Sequence, residues 1–89
     1  MPTFKAVIDV TLKKSILDPQ GQTALHALGT LGFQEAKDVR VGKHFVLTVD
    51  SVNKVEAKEQ AEEMCKKLLV NPVIEEYFVQ IEDLGGTAK

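Results

Sequence analysis

Residues 3–12, TFKAVIDVTL, alternate between apolar and polar side chains with a strict period of two. One side of this segment carries five apolar residues: Phe4, Ala6, Ile8, Val10 and Leu12. Because successive side chains of a β-strand point to opposite faces, this alternation predicts a strand with one buried face and one solvated face. The fold of this chain must therefore pack another structural element against that apolar face.

A helix is predicted next, beginning after Asp18 and ending at Gly32. Asp18 suits the N-cap position, because its carboxylate can accept hydrogen bonds from free N–H groups of the first turn, and Pro19 suits the first helical position. Apolar side chains then recur at helical spacing, at Ala24, Leu25, Leu28 and Leu31. Gly32 can adopt the left-handed conformation that ends a helix, and the resulting Schellman turn would bring Phe33 back onto Leu28.

The segment VRVGKHFVLTVD, residues 39–50, has two possible interpretations. Gly42 and Lys43 could form the two-residue turn of a hairpin between residues 38–41 and 44–50. Alternatively, the whole segment is one long strand kinked at Gly42, because the alternation of apolar side chains continues across the glycine. Such a strand would span roughly 37–40 Å and extend beyond so small a domain, as strands that pair with a second subunit do. We favour the long strand.

A second helix is expected from about Asn53 to Leu69. Asn53 and Glu56 have the spacing of a capping box, in which the side chain at the cap accepts a hydrogen bond from a backbone N–H of the first turn. The predicted apolar stripe of this helix consists of Ala57, Ala61, Met64, Cys65 and Leu68. Asn71-Pro72 ends the helix, because the residue before a proline avoids helical dihedral angles.

A last strand is predicted over residues 76–82, so that the elements follow the order β-α-β(-β)-α-β. Two helices on one face of a mostly antiparallel sheet form an α+β fold related to the ferredoxin-like folds. We expect a single domain over residues 1–82 and a flexible C-terminal tail over residues 83–89. A chain of 89 residues has a thin core, and oligomerisation is a common remedy for a thin core.

Composition argues against several functional classes. The net charge is −2, with basic residues interspersed among acidic ones, so the sequence has no basic stripe of the kind that binds nucleic acid. No apolar run approaches the roughly 18 residues of a membrane span, and the N-terminus lacks the pattern of a signal peptide. The single cysteine, Cys65, excludes an internal disulfide and fits a reducing cytoplasm.

Catalytic and metal-binding sets are not evident in the sequence. Ser15 and Ser51 lie outside any nucleophile-elbow pattern, and two histidines and one cysteine lie too far apart in sequence for a structural metal site. His26 is expected to be solvated and His44 to lie at a surface or interface. Lys43 interrupts an otherwise apolar strand face, and a buried lysine needs a carboxylate, which a second subunit could supply. These features predict a chain that presents a surface to other polypeptides.

Four motifs in this order and spacing resemble the PurS family, the small subunit of phosphoribosylformylglycinamidine synthase in purine biosynthesis. The motifs are LDPQG (residues 17–21), LGF (31–33), VRVGK (39–43) and LLVNPVIEEY (68–77). The resemblance covers nearly the whole chain, from Thr3 to Ile81. Its most specific part is the combination of VRVGK with the motif that contains Asn71-Pro72, whereas DPQG alone is weak.

The resemblance implies that the chain works within a complex. In that family a PurQ-type glutaminase subunit releases ammonia from glutamine, and a PurL-type synthetase subunit uses ATP and Mg²⁺ to add the ammonia to formylglycinamide ribonucleotide. The PurS-like chain would be a cytoplasmic, non-catalytic bridge, a homodimer or dimer of dimers, with no cofactor of its own. The residues that the motifs suggest as partner contacts are Asp18, Gly21, Arg40, Gly42, Lys43, Asn71 and Pro72.

A regulatory domain of the ACT type, which binds a small-molecule effector, is the alternative from another functional class. Such domains share the predicted order of elements and often bind amino acids at a glycine-rich loop between the first strand and the first helix. In this chain the one glycine of that connection, Gly21, lies inside the predicted helix. This position weighs against the alternative.

Overall fold

The computed structural model describes residues 1–84, which form two α-helices and a three-stranded antiparallel sheet. The elements are β1 (Thr3–Leu12), α1 (Pro19–Thr30), β2 (Gly42–Asp50), α2 (Lys54–Met64), a π-helical turn (Cys65–Leu69) and β3 (Glu75–Asp83). The strands lie in the order β2-β1-β3, so the first strand is the central one. The predicted α+β class is confirmed. No helix within residues 1–84 is long and apolar enough to cross a membrane.

The buried face of the sheet follows the alternation in β1. The strand has the predicted bounds, and four of its apolar side chains are at most 4% exposed: Phe4, Ala6, Ile8 and Val10. The register places Phe45 of β2 and Val79 of β3 on either side of Ile8. α2 and the π-helical turn cover this face with three side chains that are fully buried, Ala57 and Ala61 of α2 and Cys65 of the turn. Burial of apolar surface between α2 and β1 therefore supplies the core that stabilises the chain.

The second helix departs from the prediction in its last turn. It begins as expected, because the side-chain oxygen of Asn53 accepts a hydrogen bond from the Glu56 N–H at 2.8 Å. After α2, a π-helical turn is closed by a hydrogen bond from the Val70 N–H to the Cys65 carbonyl. This wider turn buries Val70 and leaves Leu68 83% exposed. The assignment of Leu68 to the apolar stripe was wrong, since it assumed α-helical spacing throughout.

Both interpretations of residues 39–50 were wrong. The hairpin does not form, because β2 is a single strand over Gly42–Asp50 that pairs with β1. The long strand does not form either, because residues 39–41 precede β2 without joining the sheet. The backbone N–H of Val41 instead donates to the carboxylate of Asp18 at 2.8 Å. β2 therefore begins three residues later than the apolar alternation suggests, because the segment before it is bonded to a side chain that is distant in sequence.

α1 begins and ends as predicted. Asp18 is the N-cap and Pro19 follows at the first helical position. The Phe33 N–H donates to the Leu28 carbonyl, and Gly32 has a φ of 99°. These are features of a Schellman turn, in which glycine adopts the left-handed conformation at little cost.

Only α2 packs extensively against the strands, whereas α1 extends away from the sheet. Gly21 is the buried residue of α1, and Leu31 at its C-terminal end is 73% exposed. The radius of gyration is 16.9 Å, against about 12 Å for a compact domain of this length. The single chain is therefore elongated and leaves much of α1 without a cover.

β3 is longer than predicted by one residue at each end, since it spans Glu75–Asp83. Beyond the strand, the Leu84 N–H donates to the Thr3 carbonyl at 3.0 Å. The first two residues of the predicted tail thus interact with β1. The rest of that tail, residues 85–89, lies outside the described residues.

Candidate functional site

The three longest motifs meet at one end of the sheet. We define the motif end as residues 12–21, 39–43 and 71–75, where β1 ends and β2 and β3 begin. The antiparallel register brings them together, since it pairs Thr11 with Gly42 and Leu12 with Glu75. All seven residues that the motifs suggested as partner contacts lie at this end.

The carboxylate of Asp18 joins α1 to the chain that leads into β2. One oxygen accepts a hydrogen bond from the Gly21 N–H at 3.0 Å, and the other accepts from the Val41 N–H at 2.8 Å. The residue is only 3% exposed. The bond from Val41, followed by that from Gly21, lowers the pKa of Asp18 below its usual value, because both stabilise the ionised form. Asp18 therefore shapes the motif end from inside.

Gly21 is the point of closest approach between α1 and the segment before β2. A Cβ atom at residue 21 would overlap the carbonyl oxygen of Val39 and lie 2.7 Å from the Asp18 carboxylate. Gly42 has a similar function in the sheet, since a Cβ there would overlap the carbonyl oxygen of Val10. Glycine at these two positions lets backbone segments approach more closely than any side chain allows.

Arg40 organises the loop between β1 and α1. Its Nη2 group lies 3.0 Å from the Lys13 carbonyl oxygen, 3.3 Å from that of Leu12 and 3.4 Å from that of Ile16, and donates hydrogen bonds to them. Leu12 is the last residue of β1 and the other two lie in the loop, where the Lys13 carbonyl also accepts from the Ile16 N–H. A charged donor forms stronger hydrogen bonds to such carbonyls than a neutral one does. This part of the guanidinium is thus engaged within the chain.

Lys43 and Glu75 form an ion pair on the apolar face of the sheet. Nζ of Lys43 lies 3.3 Å from Oε2 of Glu75, with the lysine side chain 51% and the glutamate side chain 14% exposed. Nζ also lies 6.0 Å from the centroid of the Phe45 ring, a cation–π distance. The carboxylate that Lys43 needs comes from the same chain and not from a second subunit, so that expectation was wrong.

Asn71-Pro72 opens a compact turn that positions Glu75. The Asn71 N–H donates to Oε1 of Glu75 at 2.8 Å, and the Glu75 N–H donates back to the Asn71 carbonyl. The side-chain oxygen of Asn71 accepts from the Val73 N–H at 3.0 Å. The bond from Asn71, and then Lys43, lowers the pKa of Glu75. Both Asn71 and Pro72 remain exposed, so this turn presents a defined shape to the outside.

The motif end encloses a cavity of about 280 Å³, whose polar lining includes Asp18, Gln20, Lys43 and Glu75. Its charged groups are paired with each other or with the backbone. Within residues 1–84, no three His, Cys, Asp or Glu side chains converge on a point that could hold a metal ion. These contacts hold the surface of the motif end in a defined shape. Within residues 12–21, 39–43 and 71–75 they bring together no pair of nucleophile and general base.

The two lowered pKa values predict how stability depends on pH. At low pH the unfolded chain binds protons on Asp18 and Glu75 before the folded chain does, so the free energy of unfolding rises with pH. The stabilisation is complete above the ordinary carboxyl pKa of about 4 and is lost as the pH falls through the lower folded-state values.

Thermal melts at a series of pH values from about 3 to 7 measure this dependence. The double variant Asp18→Asn, Glu75→Gln is expected to melt at a lower temperature at neutral pH and to lose less stability on acidification than the parent. An unchanged slope of melting temperature against pH in the double variant contradicts the assignment.

Comparison with known proteins gives a consistent result. A family model described as PurS: Phosphoribosylformylglycinamidine (FGAM) synthase matches residues 5–83. The phosphoribosylformylglycinamidine synthase subunit PurS of Methanocaldococcus jannaschii is 42% identical over 81 residues, which cover 91% of this chain and 98% of that protein. The corresponding subunit of Bacillus subtilis is 41% identical over 81 residues, covering 91% and 95%.

Comparison with solved structures leads to the same family as comparison of sequences. The crystal structure of M. jannaschii PurS matches with a TM-score of 0.81 and 43% identity, covering 89% of this chain and 95% of that chain. A chain in the structure of PurLQS from Thermotoga maritima matches with a TM-score of 0.82 and 39% identity, covering 94% of this chain and 100% of that chain.

Proposed function

The chain belongs to the PurS family of phosphoribosylformylglycinamidine synthase, and from this premise we propose that it is the subunit that bridges a PurQ-type glutaminase and a PurL-type synthetase. The observation that carries the proposal is the full-length likeness to a chain of the PurLQS structure. The geometry supports it, because the motif residues build a rigid surface and no catalytic set.

In this proposal the chemistry belongs to the partners. The glutaminase releases ammonia from glutamine, and the synthetase uses ATP and Mg²⁺ to join ammonia to formylglycinamide ribonucleotide. This chain aligns the two so that ammonia passes between them without escaping into water. Its place is the cytoplasm, which also fits the free, buried Cys65.

We assign two different tasks to the seven residues of the motif end. Asp18 and Gly21 are buried and, with Gly42, set the backbone positions. Asn71, Pro72 and the outer part of the Lys43 side chain are exposed beside them and would contact a partner. Arg40 supports the loop through its three carbonyl contacts. Partner contact at this end therefore depends on a scaffold that lies within the chain.

Self-association into a homodimer or a dimer of dimers is part of the proposal. α1 has no extensive cover in the single chain. A largely apolar groove of about 510 Å³ runs between β2 and the end of α2, lined by Leu47, Met64, Leu68 and Leu69 among others. Burying such surfaces in a second copy would supply the apolar area that a thin core lacks.

The ACT-type alternative is not favoured. That fold needs a fourth strand, whereas residues 1–84 contain three. The connection between β1 and α1 is also held closed by Arg40 and Asp18, where an ACT-type domain would bind its effector.

Reconstitution tests the proposal. Glutaminase and synthetase from the same organism, mixed with glutamine, ATP and Mg²⁺, are expected to co-elute in size-exclusion chromatography with light scattering when this chain is present, and to elute separately when it is omitted. Co-elution of the two partners without the chain, or failure of the chain to join either one, contradicts the bridging function.

A further inference from the structure

The face of the sheet opposite α2 has no cover within residues 1–84. We call it the open face. It consists of the side chains that alternate with those of the core, namely Lys5, Val7, Asp9 and Thr11 of β1, His44, Val46, Thr48 and Asp50 of β2, and Glu76, Phe78, Gln80 and Glu82 of β3. A one-sided antiparallel sheet normally exposes polar side chains on such a face.

The centre of the open face is apolar. Val46 lies directly opposite Val7 in the register, and Phe78 lies opposite Asp9, one diagonal step from Val7. Phe78 is 63% exposed and Val46 is 59% exposed. Large apolar side chains that are this exposed and adjacent mark a contact surface more often than isolated ones do.

The rim of the open face is acidic. Four carboxylates, those of Asp9, Asp50, Glu76 and Glu82, share the face with one lysine, Lys5. Lys5 pairs with Glu82 at 3.1 Å, and His44 contacts Asp9 at 2.6 Å. Glu76 has no ion-pair partner among residues 1–84. The surplus of negative charge surrounds the apolar centre.

The negative charge of the open face determines which kind of binding partner is compatible with it. Two copies stacked through their open faces would oppose the same carboxylates, and like charges in a desolvated contact cost several kcal/mol. A basic surface with an apolar side chain at its centre matches both the rim and the strip of Val7, Val46 and Phe78. Resting on the bridging function proposed above, we infer that the open face docks a basic patch of one of the two partner subunits, leaving the motif end for the other.

Two single variants with matched controls test this inference. Phe78→Ser removes the exposed ring and Glu76→Lys reverses the unpaired charge. Their controls, on α2 and outside the open face, are Val55→Ser, at a residue that is 69% exposed, and Glu59→Lys, at an exposed residue of α2. Far-UV circular dichroism and melting temperature identify any variant that fails to fold.

The dissociation constant for each partner is measured separately by calorimetry. Both open-face variants are expected to weaken binding to the same partner by about tenfold or more, while the controls stay within about twofold. Binding of the parent to that partner is expected to weaken several-fold between about 50 and 300 mM NaCl.

Other outcomes overturn the inference in distinguishable ways. If the parent chain binds a partner and the folded open-face variants bind both partners as tightly as the parent does, the assignment of the open face is wrong and the bridging function is unaffected. If the variants change only self-association in light scattering, the face belongs to a second copy. If the parent binds neither partner, the bridging function fails as well.

Discussion

Gly21→Ala is expected to destabilise the chain by about 3 kcal/mol, at the upper end of the range for an inserted methyl group in a packed site. The new Cβ would overlap the carbonyl oxygen of Val39 and press on the Asp18 carboxylate, which lies 2.7 Å away. Neither neighbour can move easily, because one is backbone and the other is held by hydrogen bonds from Gly21 and Val41. The strain would separate α1 from the segment that leads into β2.

Gly29→Ala in the same helix is the matched control. A Cβ there meets no atom within 4 Å, so alanine should stabilise the helix by about 0.5–1 kcal/mol through its better helix propensity. Urea unfolding of both variants gives the two free energies. Equal stability of Gly21→Ala and the parent contradicts the close approach that the structure shows.

Asp18→Ala is expected to produce the second large loss. The substitution leaves the N–H groups of Gly21 and Val41 without their acceptor in a site that water reaches poorly, and buried donors without a partner are costly. It also removes the connection between α1 and the start of β2. We therefore expect the loop between β1 and α1 to loosen together with residues 39–41.

Asn53→Ala is the control for this prediction, because Asn53 also caps a helix but accepts one hydrogen bond, in an exposed site. The drop in melting temperature for Asp18→Ala should be about twice that for Asn53→Ala, or more. Hydrogen exchange should show faster exchange at Val41 in Asp18→Ala alone. If the two substitutions lower the melting temperature by similar amounts, Asp18 acts only as a helix cap and the prediction is contradicted.

Local signals predicted most of the fold. The alternation in residues 3–12 gave the bounds of β1, and the sequence around Asp18 and Gly32 gave both ends of α1. These features depend on side chains within a few residues of each other, where strand alternation and capping operate. The end of α2 was missed, because the π-helical turn that buries Val70 depends on packing against the sheet.

The errors at residues 39–50 and at Lys43 have a common cause. Val41 is held by Asp18, and Lys43 is paired with Glu75, so in both cases the partner lies more than twenty residues away in sequence. The alternation of apolar side chains cannot reveal such a contact. Only the sheet register, which pairs Val10 with Lys43 and Leu12 with Glu75, brings the second pair together.

The motifs named residues of the candidate site, but they did not show its organisation. Seven positions are predicted to be partner contacts, and two of them, Asp18 and Gly21, are buried within the chain. Glu75 was not among the seven, although it is bonded to both Asn71 and Lys43. The one sequence feature that could have indicated Glu75 is that it is acidic and lies four positions after Asn71, within reach of the turn that contains Pro72.

The most direct test of the bridging function compares two nitrogen sources in the reconstituted synthase. Formylglycinamidine ribonucleotide synthesis is measured with glutamine and, separately, with saturating ammonium, with and without this chain. A bridge that delivers ammonia predicts that omitting the chain abolishes the glutamine-dependent reaction and leaves the ammonia-dependent reaction within about twofold of its original rate. Glutamine-dependent synthesis that proceeds equally well without the chain would contradict the account.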